Sequence, residues 1–225
     1  MNINRIYKII QGEGVNQGKA MIMCRLQGCP VACQYCDSIY ARDPDLGKEM
    51  LTADIINEID NLNTNIKWVD FSGGEPLLQS EQLGYLISIL NSQKYLIEIE
   101  TSGVMVPPIW WDEVDCWVVD YKVPSSGVKS IAIKEWAKRL GENDSIKFVV
   151  QDEGDLDFAL KHKVPGTTNI LSPVVWDIRY NYGEVTLGKE QIEWMQKVAV
   201  FSQDYDFMFS TQLHKIIWGQ ERQDI

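Results

Sequence analysis

Six short apolar runs recur along the chain with helical patterns between them, and this alternation restricts the possible folds more than any other feature. AMIMCRLQ (20–27), IKWVDFS (66–72), YLIEIET (95–101), CWVVDYK (116–122), SIKFVVQ (145–151) and NILSPVV (169–175) are rich in β-branched residues and have the length of buried strands. A seventh run, YDFMFS (205–210), follows near the C-terminus. Between them, ADIINEIDNLN sets Ile55, Ile56, Ile59 and Leu62 on one helical face behind Thr52, a capping residue. EQLGYLISILNSQ, behind Ser80, repeats the pattern with Leu83, Leu86, Ile87 and Leu90. SIAIKEWAKRLG ends at Gly141, a residue suited to the position after a helix, and DLDFALKHK and KEQIEWMQKVAVF complete the set. Strands separated by helices pair in parallel through crossovers. The expected fold is therefore α/β, a partial (β/α)6 barrel of the TIM type or a curved open sheet. YARDPDLGKEM has no helical period, so the crossover beginning there is expected to be reduced. In such folds ligands sit at the carboxyl ends of the strands.

With 225 residues, 45% of them hydrophobic, the chain can bury one core, so residues 1–225 are expected to form a single domain. No apolar stretch approaches eighteen residues, and MNINRIYKIIQGEG lacks the apolar segment of a signal peptide, which predicts a cytoplasmic protein without a membrane span. A net charge of −11 argues against nucleic-acid binding, which needs a basic face. Five cysteines, three of them crowded together, favour metal or redox chemistry over a disulfide framework.

Polar or glycine-rich motifs stand at four successive strand ends. GCPVACQYCDS (28–38) follows the first run and spaces Cys29, Cys33 and Cys36 as C-x3-C-x2-C. A structural zinc site is closed by four ligands, and the only nearby candidate, Cys24, lies inside a strand, where a cysteine is usually a small core hydrophobe. Cys116 is read in the same way. Three clustered thiolates suit an iron–sulfur cluster with one iron left open to a ligand. SGGEP follows the second run, ETSG ends the third, and DYK ends the fourth, so all four motifs face one mouth.

C-x3-C-x2-C after the first run, with Gly73, Gly74 and Glu75 of GGEP after the second, resembles the signature of radical S-adenosylmethionine (SAM) enzymes. That resemblance implies a [4Fe-4S] cluster on Cys29, Cys33 and Cys36, whose open iron SAM chelates. It further implies SAM contacts from Gly73, Gly74, Glu75, Ser102, Asp120, Lys122 and Ser125. The longer stretch YKIIQGEGVNQGKAMIMCRLQGCPVACQYCDS is similar to the 7-carboxy-7-deazaguanine synthase family, through Q-G-E-G at Gln11–Gly14, the run Arg25–Cys29, and C-D-S at Cys36–Ser38. DYKVPSSG and TQLHKIIWG resemble later segments of the same family. Membership would imply conversion of 6-carboxy-5,6,7,8-tetrahydropterin to 7-carboxy-7-deazaguanine with release of ammonia, in 7-deazapurine and queuosine biosynthesis. By the same resemblance Gln11 and Glu13 read the pterin edge, Arg25 pairs with the substrate carboxylate, and Gly28, Thr101 and His214 complete the substrate site. Ser38 would ligate Mg2+, a reductant such as flavodoxin would supply electrons, and the enzyme would be a homodimer. His162, in KHK, reads as a solvent-facing helix residue, and QERQDI extends past the usual family end. Two other readings remain at this stage: a glycyl-radical-enzyme activase, and a zinc module in which Cys24 is the fourth ligand.

Overall fold

The computed structural model describes residues 1–63, 65–181 and 184–218. The chain opens with a strand that the alternation of runs does not announce, β1 (Asn2–Ile10), which doubles back into β2 (Ala20–Leu26) as an antiparallel hairpin. Its sequence, NINRIYKII, buries Tyr7 and Ile9 on one face with the period of a strand, while a register shift between Ile3 and Arg5 turns Ile3 to the other face, and no helix follows it. The Q-G-E-G motif thus forms the hairpin connection. β3 (Lys48–Glu49) pairs with the outer side of β1.

From β2 the expected architecture takes over. β4 (Trp68–Gly73), β5 (Leu96–Thr101), β6 (Cys116–Asp120), β7 (Ser145–Val150) and β8 (Thr168–Pro173) join in succession, each parallel to its predecessor. A separate hairpin, β9 (Ile178–Asn181) with β10 (Glu184–Leu187), follows, and β11 (Met208–Phe209) returns to the sheet parallel to β8. The order across the nine-stranded sheet is β11-β8-β7-β6-β5-β4-β2-β1-β3.

The helices are α1 (Thr52–Leu62), α2 (Ser80–Ser92), α3 (Ile133–Trp136), α4 (Glu153–Lys161), α5 (Lys189–Tyr205) and α6 (Leu213–Trp218). The buried faces of α1 (Ile55, Ile59) and α2 (Leu83, Leu86, Ile87, Leu90) follow the predicted stripes. The caps do not. Thr52 and Ser80 are the first helical residues, behind Leu51 and Gln79, and neither makes a capping bond. Gln79 ends a 3-10 turn begun by Pro76, which shifts the start of α2. SIAIKEWAKRLG yields only the four-residue α3, and Gly141 instead donates its N–H to Asp144. His162 is half-buried and lies just past the helix: it follows α4, its ring stacks on Phe158 with centroids 4.0 Å apart, and its Nδ1 lies 2.7 Å from the Phe158 carbonyl. The reduced crossover is present as two 3-10 turns, Ile39–Ala41 and Pro44–Leu46, before α1.

Alternate strand residues face opposite ways. Ile22, Cys24 and Leu26 of β2, Val69 and Phe71 of β4, and Ile97 and Ile99 of β5 meet the helices in one large apolar core. Tyr7, Ile9, Met21 and Met23, joined by Trp68, form a smaller cluster on the other face. That face is concave. β7 and β1 stand five places apart in the sheet, about 24 Å if it were flat. Yet Lys147 of β7 donates to Glu13, just beyond β1, over 2.7 Å. The sheet must curl to allow this bond, and it does so as a partial barrel.

Candidate active site

The mouth of the partial barrel holds a cavity of ≈ 270 Å3, lined from the β1–β2 connection, the ends of β2 and β4 to β7, the cysteine loop and α6. Cys29, Cys33 and Cys36 all line it as free, partly buried thiols. Cys24 is fully buried on the helix side of β2, facing away, and Cys116 is likewise a buried strand residue. Burial pushes both thiols up, as it does those of Cys29 and Cys33, so it is their position away from the cavity that separates them from the ligating set. The four-cysteine zinc arrangement is therefore incompatible with the fold, whereas a three-thiolate cluster fits the donor set and its placement.

The GGEP turn lies directly against this loop. Glu75 N–H donates to the Gly28 carbonyl over 2.8 Å, and Gly74 N–H to the Leu26 carbonyl over 3.1 Å. A Cβ at Gly74 would strike the Gly28 carbonyl, and Gly73, at φ +130°, would drive one into the Leu26 backbone. Only glycine permits so close an approach. Gly73 and Gly74 line the cavity, but Glu75 and Gly28 lie behind its wall. The fully buried Glu75 carboxylate accepts from Thr101 Oγ1 (2.7 Å), from Ser102 N (2.9 Å) and Oγ, and from Leu77 N (3.2 Å), which welds the second strand end to the third. Thr101 and Ser102 reach the cavity.

Asp120 and Lys122 also line it and form an ion pair of 2.7 Å. The other Asp120 oxygen, Oδ1, is buried without a partner, an acceptor suited to a ligand hydroxyl. Ser125 is not brought to the cavity: its N–H and Oγ both donate to Asp155 at the start of α4, at 3.1 and 2.5 Å.

On the opposite wall stand Gln11, Glu13, Arg25, Asp37, Ser38 and His214. Arg25 extends from the concave face of β2, gives two N–H groups to Tyr7 Oη at 3.2 and 3.1 Å, and lies over the Tyr40 ring. Ser38 donates to the Gly73 carbonyl over 3.2 Å, and its Oγ is 3.8 Å from Cys36 Sγ. His214 packs over Gly12, where any Cβ would collide with its ring. Burial pushes the His214 imidazole below its usual range, against the pull of Glu13 and Asp37, so it is neutral at pH 7.

Two cations on this wall were not singled out by motif. Lys147 pairs with Glu13 at 2.7 Å and Glu100 at 3.5 Å, and Lys215 pairs with Asp37 at 3.2 Å. Burial works against the charge on Glu13, but Lys147, joined by His214 once acid protonates the imidazole, outweighs it and holds the carboxyl down. Asp37 stands at the cavity mouth with its side chain 43% exposed, where partial desolvation opposes its charge but Lys215, with Arg25 and a protonated His214, holds it below the usual carboxylate range. Gln212 joins the two acids, donating to Glu13 at 3.0 Å and Asp37 at 3.2 Å. Glu13, Asp37 and His214 approach one another closely enough to hold a metal ion, but lysines already neutralise both carboxylates. Lys147 had a signal in the sequence: SIKFVVQ places it in phase with Ser145 and Val149, opposite the apolar Ile146 and Phe148.

Residues 10–107 match the family of 4Fe-4S single cluster domains. Over its whole length the chain is 31% identical to the whole of a 7-carboxy-7-deazaguanine synthase of Koribacter versatilis, and 31% identical to 97% of one from Chlorobaculum tepidum. A third, from Clostridium acetobutylicum, is 29% identical over 96% of the chain and 95% of its own length. Among solved structures, the crystal structure of QueE from Escherichia coli superposes with a TM-score of 0.71 at 21% identity, covering 95% of this chain and 94% of that one. Streptococcus suis SuiB bound to S-adenosylmethionine has the same fold at a TM-score of 0.52 and 15% identity, over 82% of this chain and 48% of that one.

Proposed function

The chain belongs to the 7-carboxy-7-deazaguanine synthases, and from that premise we propose which of its residues do which part of the work. The protein is a radical SAM enzyme of queuosine biosynthesis that converts 6-carboxy-5,6,7,8-tetrahydropterin to 7-carboxy-7-deazaguanine and ammonia. A reduced iron–sulfur cluster with SAM on its open iron supplies one-electron cleavage of the sulfonium and hence hydrogen abstraction at carbon.

In our reading Cys29, Cys33 and Cys36 hold the cluster. Gly73 and Gly74 let SAM approach the backbone, with Glu75 acting from behind by orienting Thr101 and Ser102. Asp120 accepts a hydroxyl of the nucleoside while Lys122 faces an anionic group. Ser125 positions Asp155 and the start of α4 instead of touching SAM. Arg25, whose guanidinium is only partly taken up by Tyr7, binds the pterin carboxylate in a bidentate fork. Gln11 and Glu13 accept from the amide and exocyclic amine edge, and neutral His214 with Thr101 borders the ring. Gly28 acts through the backbone that it shares with Glu75. Ser38 offers an oxygen to Mg2+, which takes few protein ligands and keeps several waters. Residues 1–225 act as one domain, as a homodimer in the cytoplasm, reduced by a flavodoxin-type protein. Among the described residues no helix is long and apolar enough to cross a membrane.

The observation that carries these roles is the joint presence of three thiols, the Gly73–Gly74 turn and Arg25 on the walls of a single cavity. Anaerobic turnover of the carboxytetrahydropterin with SAM and a reductant tests them. Wild-type protein should release the deazaguanine. Arg25→Ala should bind substrate about 10–100-fold more weakly with its iron content intact, the loss of one charge-assisted bidentate contact. Unchanged substrate affinity in that variant removes Arg25 from the site.

A further inference from the structure

Beneath Gln11, in the interior of the partial barrel, lies a group of buried polar side chains that the roles above do not use. Asp70 of β4 and Glu98 of β5 are fully buried, and with Glu100 they surround the Gln11 amide nitrogen. Gln11 Nε2 donates to Glu98 Oε1 over 2.6 Å, with Glu100 Oε1 at 3.1 Å and Asp70 Oδ2 at 3.3 Å. The second Glu98 oxygen accepts from Asn16 Nδ2 over 2.5 Å, and Asn16 Oδ1 accepts from Lys19 Nζ over 2.5 Å.

The orientation of both amides follows from groups that can only donate. The Lys19 ammonium has no lone pair, so the Asn16 oxygen must face it and the Asn16 nitrogen must face Glu98. At the other end, Glu13 N–H approaches Gln11 Oε1 at 3.3 Å, which turns the Gln11 nitrogen toward the carboxylates. A carboxamide otherwise rotates between its two orientations with little preference, since the oxygen and nitrogen have nearly the same shape. With the nitrogen committed to the acids, Oε1 is the only atom of this side chain with hydrogen-bonding capacity left.

We propose that Glu98 and Asn16, supported by Asp70, are positioning residues that lock the Gln11 carboxamide so that its oxygen is the group offered to the substrate. Together with the Glu13 carboxylate, the locked oxygen sets two acceptors side by side at this part of the wall. It selects a heterocycle whose edge donates N–H bonds and disfavours one that presents a carbonyl or a bare carbon there. The inference rests on the reading that Gln11 touches the substrate.

The experiment uses the reconstituted holoenzyme, with the carboxytetrahydropterin and its analogue lacking the exocyclic amine. Glu98→Met and Asn16→Ala should each raise KM about five- to tenfold with kcat within about twofold, the loss of one uniformly used hydrogen bond. Each should also shrink the preference for the amine-bearing substrate over the analogue, a change that general loosening of the fold would not produce. In a Gln11→Ala background neither substitution should add to the effect, because the lock acts through that side chain. Glu98→Gln, which keeps an acceptor, should recover most of the affinity. Unchanged KM in both Glu98→Met and Asn16→Ala, or effects that add to those of Gln11→Ala, overturns the proposal. A Gln11→Ala enzyme with wild-type KM instead removes Gln11 from the substrate site, a separate failure. Should Glu98→Met not hold its cluster, Asn16→Ala, which leaves the carboxylate in place, decides the matter.

Discussion

Cys24 and Cys29 are five residues apart and face opposite sides of one sheet, so the residue scale already separates structural from ligating thiols. Cys36→Ala should lose cluster iron and SAM cleavage, while Cys24→Ala keeps its iron and loses only a little stability, as iron and sulfide analysis will show. Loss of the cluster in Cys24→Ala alone contradicts the assignment. Glu98 gives a second prediction. Burial, reinforced by Glu100, pushes its carboxyl up to about 7, against an unfolded value of 4.5. Between those values the folded state retains a proton that the unfolded chain gives up, so stability falls as pH rises through that window. Asp70, raised by burial and by Glu100 and Glu98, acts in the same direction. Chemical denaturation at pH 5 and 8 should show a smaller pH-dependent loss in Glu98→Gln than in wild type. An equal loss in the two proteins refutes this origin. Glu13 and Asp37, held down by lysines, make the opposite contribution at more acid pH, where their stabilisation disappears as they protonate.

At the scale of elements, the connection Gln11–Gly14 is shaped to admit α6 from the other end of the chain. His214 occupies the space above Gly12, and Leu213 N–H donates to the Gly12 carbonyl over 3.0 Å. Gly12→Ala should displace the His214 ring and raise substrate KM about tenfold or more, leaving cluster content unchanged; wild-type kinetics in that variant would show that α6 shifts without consequence. The six parallel strands could be read from sequence because each is rich in apolar and mostly β-branched residues, and the ligand motifs because they stand at strand ends. Elements outside the β–α rhythm were harder to read. β1 belongs to a hairpin, while YDFMFS and SIAIKEWAKRLG, expected as a strand and a helix, form only the two residues of β11 and the four of α3. The helix starts moved by a residue because Thr52 and Ser80 sit inside the first turn. Within the site, the cysteines, glycines and Arg25 were legible from spacing. Glu98 was not, and the phase of Lys147 in SIKFVVQ gave its face but not its partner, since a charged residue within a strand ordinarily marks a solvated face and only closure of the barrel shows that here it faces inward. Ser125 and Glu75 were placed near the ligand by motif, but their partners are protein groups, which no spacing reveals. The QERQDI tail lies outside the described residues.

For the whole molecule, the bond that proves the sheet is curled also holds it so. Lys147 joins β7 to the β1–β2 connection across the barrel interior, with both side chains largely buried. Removing one member of such a pair leaves a buried charge without its partner, so Lys147→Met should cost about 3–5 kcal/mol. Replacing Glu13 by Gln as well should return part of the loss, a result that anaerobic urea titration will show. If Lys147→Met unfolds like wild type, the curl rests on packing alone. A barrel that does not close keeps two free borders, and here each is finished by a strand of two residues: β3, made of Lys48 and Glu49, and β11. Long unpaired borders are templates for fibrous self-association, and short or charged ones offer neighbouring copies almost nothing to pair with. The gap that leaves room for the active-site mouth is therefore opened at little risk of one copy's sheet continuing into the next.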